Sequence, residues 1–362
     1  MSTSLAQLVS EAKIHSLALI GLSKNVGKTT TTNHLLETLV GEKYYRSDEL
    51  ALTSLGLDGE ATDALTGLPK PRYAPQAGLL VATTVELLRQ AESEGTQVEC
   101  LQQLPGRTAL GPVILARIRR QGRVIIAGPT LLHDLRNAMD QLRTLGARLS
   151  IVDGAINRLG AAAPKITDAC IVCTGASAAA TPELVARRTA DVLLRLTTQK
   201  TQLIDAYRKQ TSQARLYMFT VNDGDKTIKH FKDVDKPLYE ARWIAKHIQT
   251  AQKPTFVLHG ALTEELSRAL LNELPKKFSP DHGELIVEDA TRIFCHSVVL
   301  QRLSERGLDI HVANPIRILA LTANPCTPEY LCSSQHLLDV LTKELPSSSP
   351  PIVDVISGYS HS

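Results

Sequence analysis

Ten consecutive residues, Gly21-Leu22-Ser23-Lys24-Asn25-Val26-Gly27-Lys28-Thr29-Thr30, combine the types and spacing that phosphate binding requires. Glycines let backbone N–H groups approach an anion, and a helix N-terminus adds unsatisfied donors with partial positive charge. A lysine directly after glycine can reach β- and γ-phosphates, and the hydroxyl that follows can bind Mg²⁺. On this reading Lys28 serves the phosphates and Thr29 the metal. Gly21, Lys24, Asn25, Val26, Gly27 and Thr30 complete the cradle, and the expected ligands are ATP and Mg²⁺. The spacing departs from the usual P-loop, because five residues instead of four separate Gly21 from Gly27-Lys28. Leu22 also stands where a glycine is expected.

A metal held this way needs a carboxylate near its water shell. The segment Leu149–Gly154 (LSIVDG) reads as an apolar strand ending in an acid, so Asp153 is the second metal-site candidate. Thr53–Glu60 (TSLGLDGE) follows another strand, where a loop can answer to the γ-phosphate. There Asp58 is the candidate to orient the attacking water or share the Mg²⁺, with Glu60 in reserve. Lys28 and Asp58 are thus the expected catalytic pair, although a glycine-flanked aspartate also stabilises its own turn. Arg158, Lys165 and Asp168 follow in the next connection, where surface charge is the commoner role. Asn222-Asp223-Gly224-Asp225 has the Asn-x-x-Asp spacing of guanine recognition but lacks lysine at its second place. It reads as a turn, which favours ATP over GTP.

The elements that must position these groups alternate between strands and helices. His15–Ile20 is an expected strand and Lys28–Val40 an expected helix, stopped by Gly41. Strands are also expected at Ala51–Leu55, Leu79–Thr83, Leu149–Val152 and Ala169–Thr174. Pro112–Ile118 and Arg123–Ala127 flank Gln121-Gly122 and suggest an antiparallel hairpin. The pattern predicts an α/β fold: a P-loop domain with a mostly parallel sheet covered by helices, plus a second α/β domain. The expected boundaries are 1–196 for the first domain, 197–215 for a linker or connecting helix, and 216–362 for the second. Cys170 and Cys173 form a CxxC on an apolar strand, where residues three apart face opposite sides, so buried thiols are expected instead of a metal site.

Composition narrows the partners. A net charge of +3 over 362 residues and an aromatic share of 4% argue against a nucleic-acid surface or an anionic membrane. Neither a signal peptide nor an apolar run long enough to span a bilayer is evident, and six cysteines then suit a reduced, cytoplasmic setting.

The Lys-Asn-x-Gly-Lys-Thr-Thr run resembles the P-loop branch containing dethiobiotin synthetase, nitrogenase iron protein and the molybdopterin-guanine dinucleotide accessory protein. That branch often carries a lysine directly after its first glycine position, where this chain has Ser23, with Lys24 next. A homodimer is one assembly the branch allows. Five ordered segments carry a closer resemblance: Ile20–Asn33 (IGLSKNVGKTTTTN), Leu52–Glu60 (LTSLGLDGE), Gly122–Pro129 (GRVIIAGP), Ile151–Arg158 (IVDGAINR) and Pro164–Ala176 (PKITDACIVCTGA). They are similar to the lysine 5,6-aminomutase reactivase small subunit, a family of bacteria that ferment lysine or ornithine. In the second half, Thr322-Ala323-Asn324-Pro325 is the best recognisable point. The resemblance implies an ATPase that works with a larger partner ATPase subunit to restore an adenosylcobalamin-dependent aminomutase, its second half forming the docking surface. The base-off cobalamin signature Asp-x-His-x-x-Gly is absent, so the chain is not expected to bind cobalamin itself. An ATP-dependent kinase or ligase like dethiobiotin synthetase, and a nucleotide-dependent scaffold, are the alternatives.

Overall fold

The computed structural model describes residues 4–56, 72–106, 108–154, 159–203, 215–222, 225–231, 236–251, 253–275, 283–326, 333–356 and 360–361. The chain divides into two compact units, one of Met1–Thr189 with Arg317–Ser362, the other of Ala190–Ile316. Within the first unit the described strands are β1 (Ser16–Gly21), β2 (Leu50–Ser54), β3 (Leu80–Thr84), β4 (Gln97–Gln103), β5 (Val113–Arg120), β6 (Leu149–Asp153) and β7 (Ala169–Gly175). Helices α1 (Leu5–Glu11), α2 (Lys28–Gly41), α3 (Val85–Ser93), α4 (Leu132–Thr144) and α5 (Pro182–Leu196) connect or flank them, α5 continuing into the second unit.

The second unit carries β8 (Leu216–Asn222), β9 (Asp225–His230), helix α6 (Pro237–Thr250), β10 (Thr255–Leu258), α7 (Glu264–Glu273), β11 (Gly283–Val287), α8 (Ser297–Glu305) and β12 (Leu308–Val312). Its five-stranded sheet runs β12-β11-β10-β8-β9, parallel from β10 to β12 and antiparallel at β8 and β9. Asn222 and Asp225 pair across the β8–β9 connection, so the Asn-x-x-Asp spacing does belong to a hairpin. Three elements then return to the first unit: β13 (Ile318–Asn324), α9 (Ser334–Glu344) and the short β14 (Ile352–Val353), with β15 (Ser360–His361) at the edge.

The large sheet is mostly parallel, with ten strands in the order β15-β14-β13-β7-β1-β6-β2-β3-β5-β4. Parallel pairing covers its middle from β14 to β3, and antiparallel pairs close both ends. Burial on both faces explains its sequences: every residue of β1 (SLALIG) and β7 (ACIVCTG) is buried. Cys170 and Cys173 are inside, and burial pushes their thiols up to about 12 and about 11 respectively.

Two expectations are corrected. The second domain does not run from 216 to 362, because β13 pairs with β7 in the first sheet and 317–362 belongs to the first unit. Alternating strands and helices look alike on either side of such a boundary, and nothing in an apolar strand's sequence names its neighbour. Nor is there a hairpin across Gln121-Gly122. β5 pairs instead with β3 and β4, and Val124 makes only an isolated bridge to Tyr73. The 124–129 segment is held by hydroxyls, since Ala127 N–H donates to Thr83 Oγ1 and Gly128 N–H to Ser54 Oγ, both at 2.9 Å. A Cβ on Gly128 would lie 2.0 Å from the Ser54 carbonyl oxygen, so only glycine permits this approach. The partner that β5 does use, β4 (QVECLQQ), is a largely exposed edge strand with little apolar pattern to reveal it.

Candidate functional site

β1 lies between β7 and β6, all three parallel, so the chain leaving Gly21 and the acid ending β6 emerge at the same sheet edge. Leu19 is in register with Asp153, which brings the loop after β1 beside that carboxylate. Carboxyl ends of adjacent parallel strands are where α/β sheets hold ligands.

The loop's spacing has a structural account. Leu22 N–H donates to the Cys173 carbonyl at 3.0 Å, prolonging the β1–β7 pairing by one residue before the chain turns. The fifth intervening residue is absorbed there. Asn25 and Gly27 both take left-handed backbone angles, with φ of 58° and 86°. Asparagine and glycine are the residues that tolerate this most readily. Gly27 caps α2, and its carbonyl accepts the first helical bond, from Thr31 N–H at 2.8 Å. The N–H groups of Lys28, Thr29 and Thr30 therefore form the helix's N-terminal face.

Lys28 folds back across Gly21. A Cβ there would lie 3.0 Å from both Lys28 Cδ and Val26 Cγ2, so a side chain would collide with the lysine stem. Lys28 Nζ donates to the Gly154 carbonyl and stands 3.0 Å from Asp153 Oδ1. Other backbone atoms of the loop are held from behind. Ser177 Oγ donates to the Lys24 carbonyl at 2.8 Å, and Asn324 Nδ2 to the Asn25 carbonyl at 2.9 Å. Thr31 and Thr322 share a buried hydroxyl contact of 3.2 Å. The Thr322–Asn324 stretch thus buttresses the loop from β13, nearly 300 residues away in sequence.

Sequence reading missed Tyr73. Its hydroxyl donates to Asp153 Oδ2, and the residue is 5% exposed. Burial, then the Asp153 charge, hold its phenol well above the ordinary value, so it stays a protonated donor. Two backbone bonds of 3.0 Å to Val124 fix its position. No local signal marks it, because it is 80 residues from its partner.

Asp153 Oδ1 meets Lys28 as an ion pair, in a geometry that is not a hydrogen bond. The atom is buried with no hydrogen-bond partner among the described residues. A hydrated Mg²⁺ would supply the missing donors, and Thr29 follows Lys28 in the first turn of α2, so these residues fit the metal. Mg²⁺ commonly takes few protein ligands and keeps several waters. Among the described residues no group of three His, Cys, Asp or Glu side chains could hold a metal ion.

Other candidates fall elsewhere. Asp58, with Glu60 and Arg158, lies outside the described residues. Asp168 is at the opposite sheet edge, where its carboxylate accepts from His15 and Ser16 N–H at 2.8 and 3.0 Å, and it clips β1 to β7. No helix among the described residues is long and apolar enough to cross a membrane.

Comparison with known proteins gave no matching family model, no matching curated protein and no matching solved structure.

Proposed function

We propose that this chain binds Mg²⁺·ATP at the β1–α2 loop and hydrolyses it. The carrying observation is the convergence of Lys28, Thr29 and Asp153 at one edge of a parallel sheet, with the lysine stem lying over Gly21. Lys28 would neutralise the β- and γ-phosphates, and the first N–H groups of α2 would donate to them. Thr29 would hold the metal directly and Asp153 its water shell, while Asp58 is the candidate to orient the attacking water. Mg²⁺ held by these residues would supply positive charge to offset that which develops on the phosphate. The test is calorimetric titration with ATP and Mg²⁺ on the intact protein and on Lys28→Ala. Equal affinity and equal turnover in the two would remove the reading.

The finer reading is that hydrolysis serves the reactivation of an adenosylcobalamin-dependent aminomutase, together with a larger partner ATPase. What supports it is the ordered resemblance from Ile20 to Ala176. It is an argument from analogy and not from site chemistry. A protein that binds an open form of the client more tightly than the closed form shifts it toward release of spent cofactor, and nucleotide turnover then frees the protein for another cycle. The assay mixes inactivated aminomutase, this chain, its partner ATPase, ATP, Mg²⁺ and fresh adenosylcobalamin. Recovery of activity that is the same without this chain, or the same with Lys28→Ala, would leave only the ATPase.

A further inference from the structure

A cleft opens along the same sheet edge as the phosphate loop, but away from it. β3 runs parallel to β1 with β6 and β2 between them, so its carboxyl end lies three strand spacings, about 14 Å, from that loop. The cleft, of about 330 Å³ and partly open to solvent, is walled by Leu104, Val113 and Pro129, with Thr130, Asp134 and Asn137 among its polar groups. We propose that it binds a small protonated amine that also carries a hydroxyl, Asp134 holding the ammonium and Thr84 the hydroxyl. This site is independent of the nucleotide reading.

Apolar walls around a few polar groups are how small-molecule sites are built, commonly at the carboxyl ends of parallel strands. The charge of this one is set by Asp134, the one charged side chain among the described residues of its wall. Asp134 Oδ1 meets the exposed His133 at 3.0 Å, whereas Oδ2 faces Gly106: a Cβ built on Gly106 would stand 4.0 Å from it. Gly106 has a φ of 91°, which favours glycine and keeps the space opposite the carboxylate open. The N-terminus of α4 has no side-chain cap and by itself favours an anion. Asp134 sits in its first turn, and a full negative charge outweighs the half charge of a helix end, so the preference turns to a cation.

The second polar anchor is a hydroxyl without a partner. Thr84 ends β3 and is fully buried, and its Oγ1 has no hydrogen-bond partner among the described residues. Side chains alternate along a strand, so Thr84 shares the face of Leu80 and Ala82, which pack with Val113 against Ala138 and Leu142 of α4. Val113, a wall of the cleft, is also the residue paired with Thr84 across β3 and β5. The hydroxyl is therefore directed into the layer between β3 and α4, beside the cleft. A buried hydroxyl left unpaired is costly, and a ligand hydroxyl reaching past Val113 would satisfy it.

The test uses the intact chain and probes of matched size: aminopropanol, propylamine, propanediol and hydroxypropionate, each substituted at its chain ends. Amide chemical shifts of isotope-labelled protein are followed as each probe is titrated. Aminopropanol should shift the amides of Gly106, Thr108 and the first turn of α4, and bind at least about tenfold more tightly than the diol or the acid. Asp134→Asn should abolish that preference for the amine. Thr84→Val keeps the shape and removes the hydroxyl; it should lower aminopropanol to the affinity of propylamine and leave propylamine unchanged. With its unpaired hydroxyl gone, the same variant should unfold at no lower temperature than wild type. Should it fail to fold, the probe series on wild type and Asp134→Asn decides the site. No shift at these amides with aminopropanol, binding of hydroxypropionate as tight or tighter, or an unchanged preference in Asp134→Asn overturns the proposal. Wild-type affinity for aminopropanol in Thr84→Val overturns the role given to Thr84.

Discussion

Gly21→Ala tests the site through a single added methyl. The new Cβ would meet Lys28 Cδ and Val26 Cγ2 at 3.0 Å. Carbon atoms in contact prefer about 3.5–4.0 Å, so the neighbours have to give way by roughly half an ångström. Both are side chains, and the lysine is the longer and more easily turned. Relief therefore goes through Lys28, whose stem leaves its path over the loop. Overpacking of this kind costs about 1–3 kcal/mol, and the lower end applies because a flexible chain yields. The functional loss is the larger effect. A displaced ammonium forfeits a charge-assisted hydrogen bond to phosphate, on the order of 1.5–3 kcal/mol, or about tenfold to a hundredfold in affinity. Calorimetry with Mg²⁺·ATP gives the affinity, and denaturant unfolding gives the stability. Gly41→Ala is the control: nothing lies within 4 Å of its added Cβ, so affinity should not move. Wild-type affinity in Gly21→Ala would refute the account of Lys28's path, as would a stability loss far beyond about 3 kcal/mol.

Asp153→Asn should weaken nucleotide binding only when Mg²⁺ is present, whereas Asp58→Asn should slow hydrolysis with binding nearly intact; wild-type turnover and metal dependence in both would end both assignments. Cys170 and Cys173 are buried with raised thiols, so in native protein they should resist alkylation that labels the exposed Cys100 and Cys326, as peptide mapping can show. His311 Nδ1 stands 2.8 Å from Glu284 Oε2, and that partner raises its folded pKa. The stability this contributes is present in full below the ordinary value of about 6.5 and is lost as pH rises through the raised folded value. Thermal unfolding followed from pH 5 to 9 should show that decline, flattened in His311→Gln; identical profiles would discount the pair.

These predictions follow the line along which sequence and structure divide. The strand–turn–helix form of Gly21–Thr30 was legible because it is local: a buried strand, a turn with left-handed positions and a helix N-terminus lie in one short stretch. Asp153's place was legible for the same reason, as an acid closing a mostly apolar strand. The start of α2 at Lys28, and the buried thiols of β7, likewise follow from local pattern, though α2 runs one residue past the expected Val40 to take in Gly41. What the sequence did not reveal depends on which strands become neighbours. β13 returns to the first sheet and brings Asn324 against Asn25, and Tyr73 reaches Asp153 across 80 residues. The 124–129 segment is shaped by two hydroxyls from other strands. The physical reason is that local propensity and hydrophobic period are properties of a stretch of chain. Strand order and the meeting of distant side chains are decided only when the whole sheet assembles and buries both its faces.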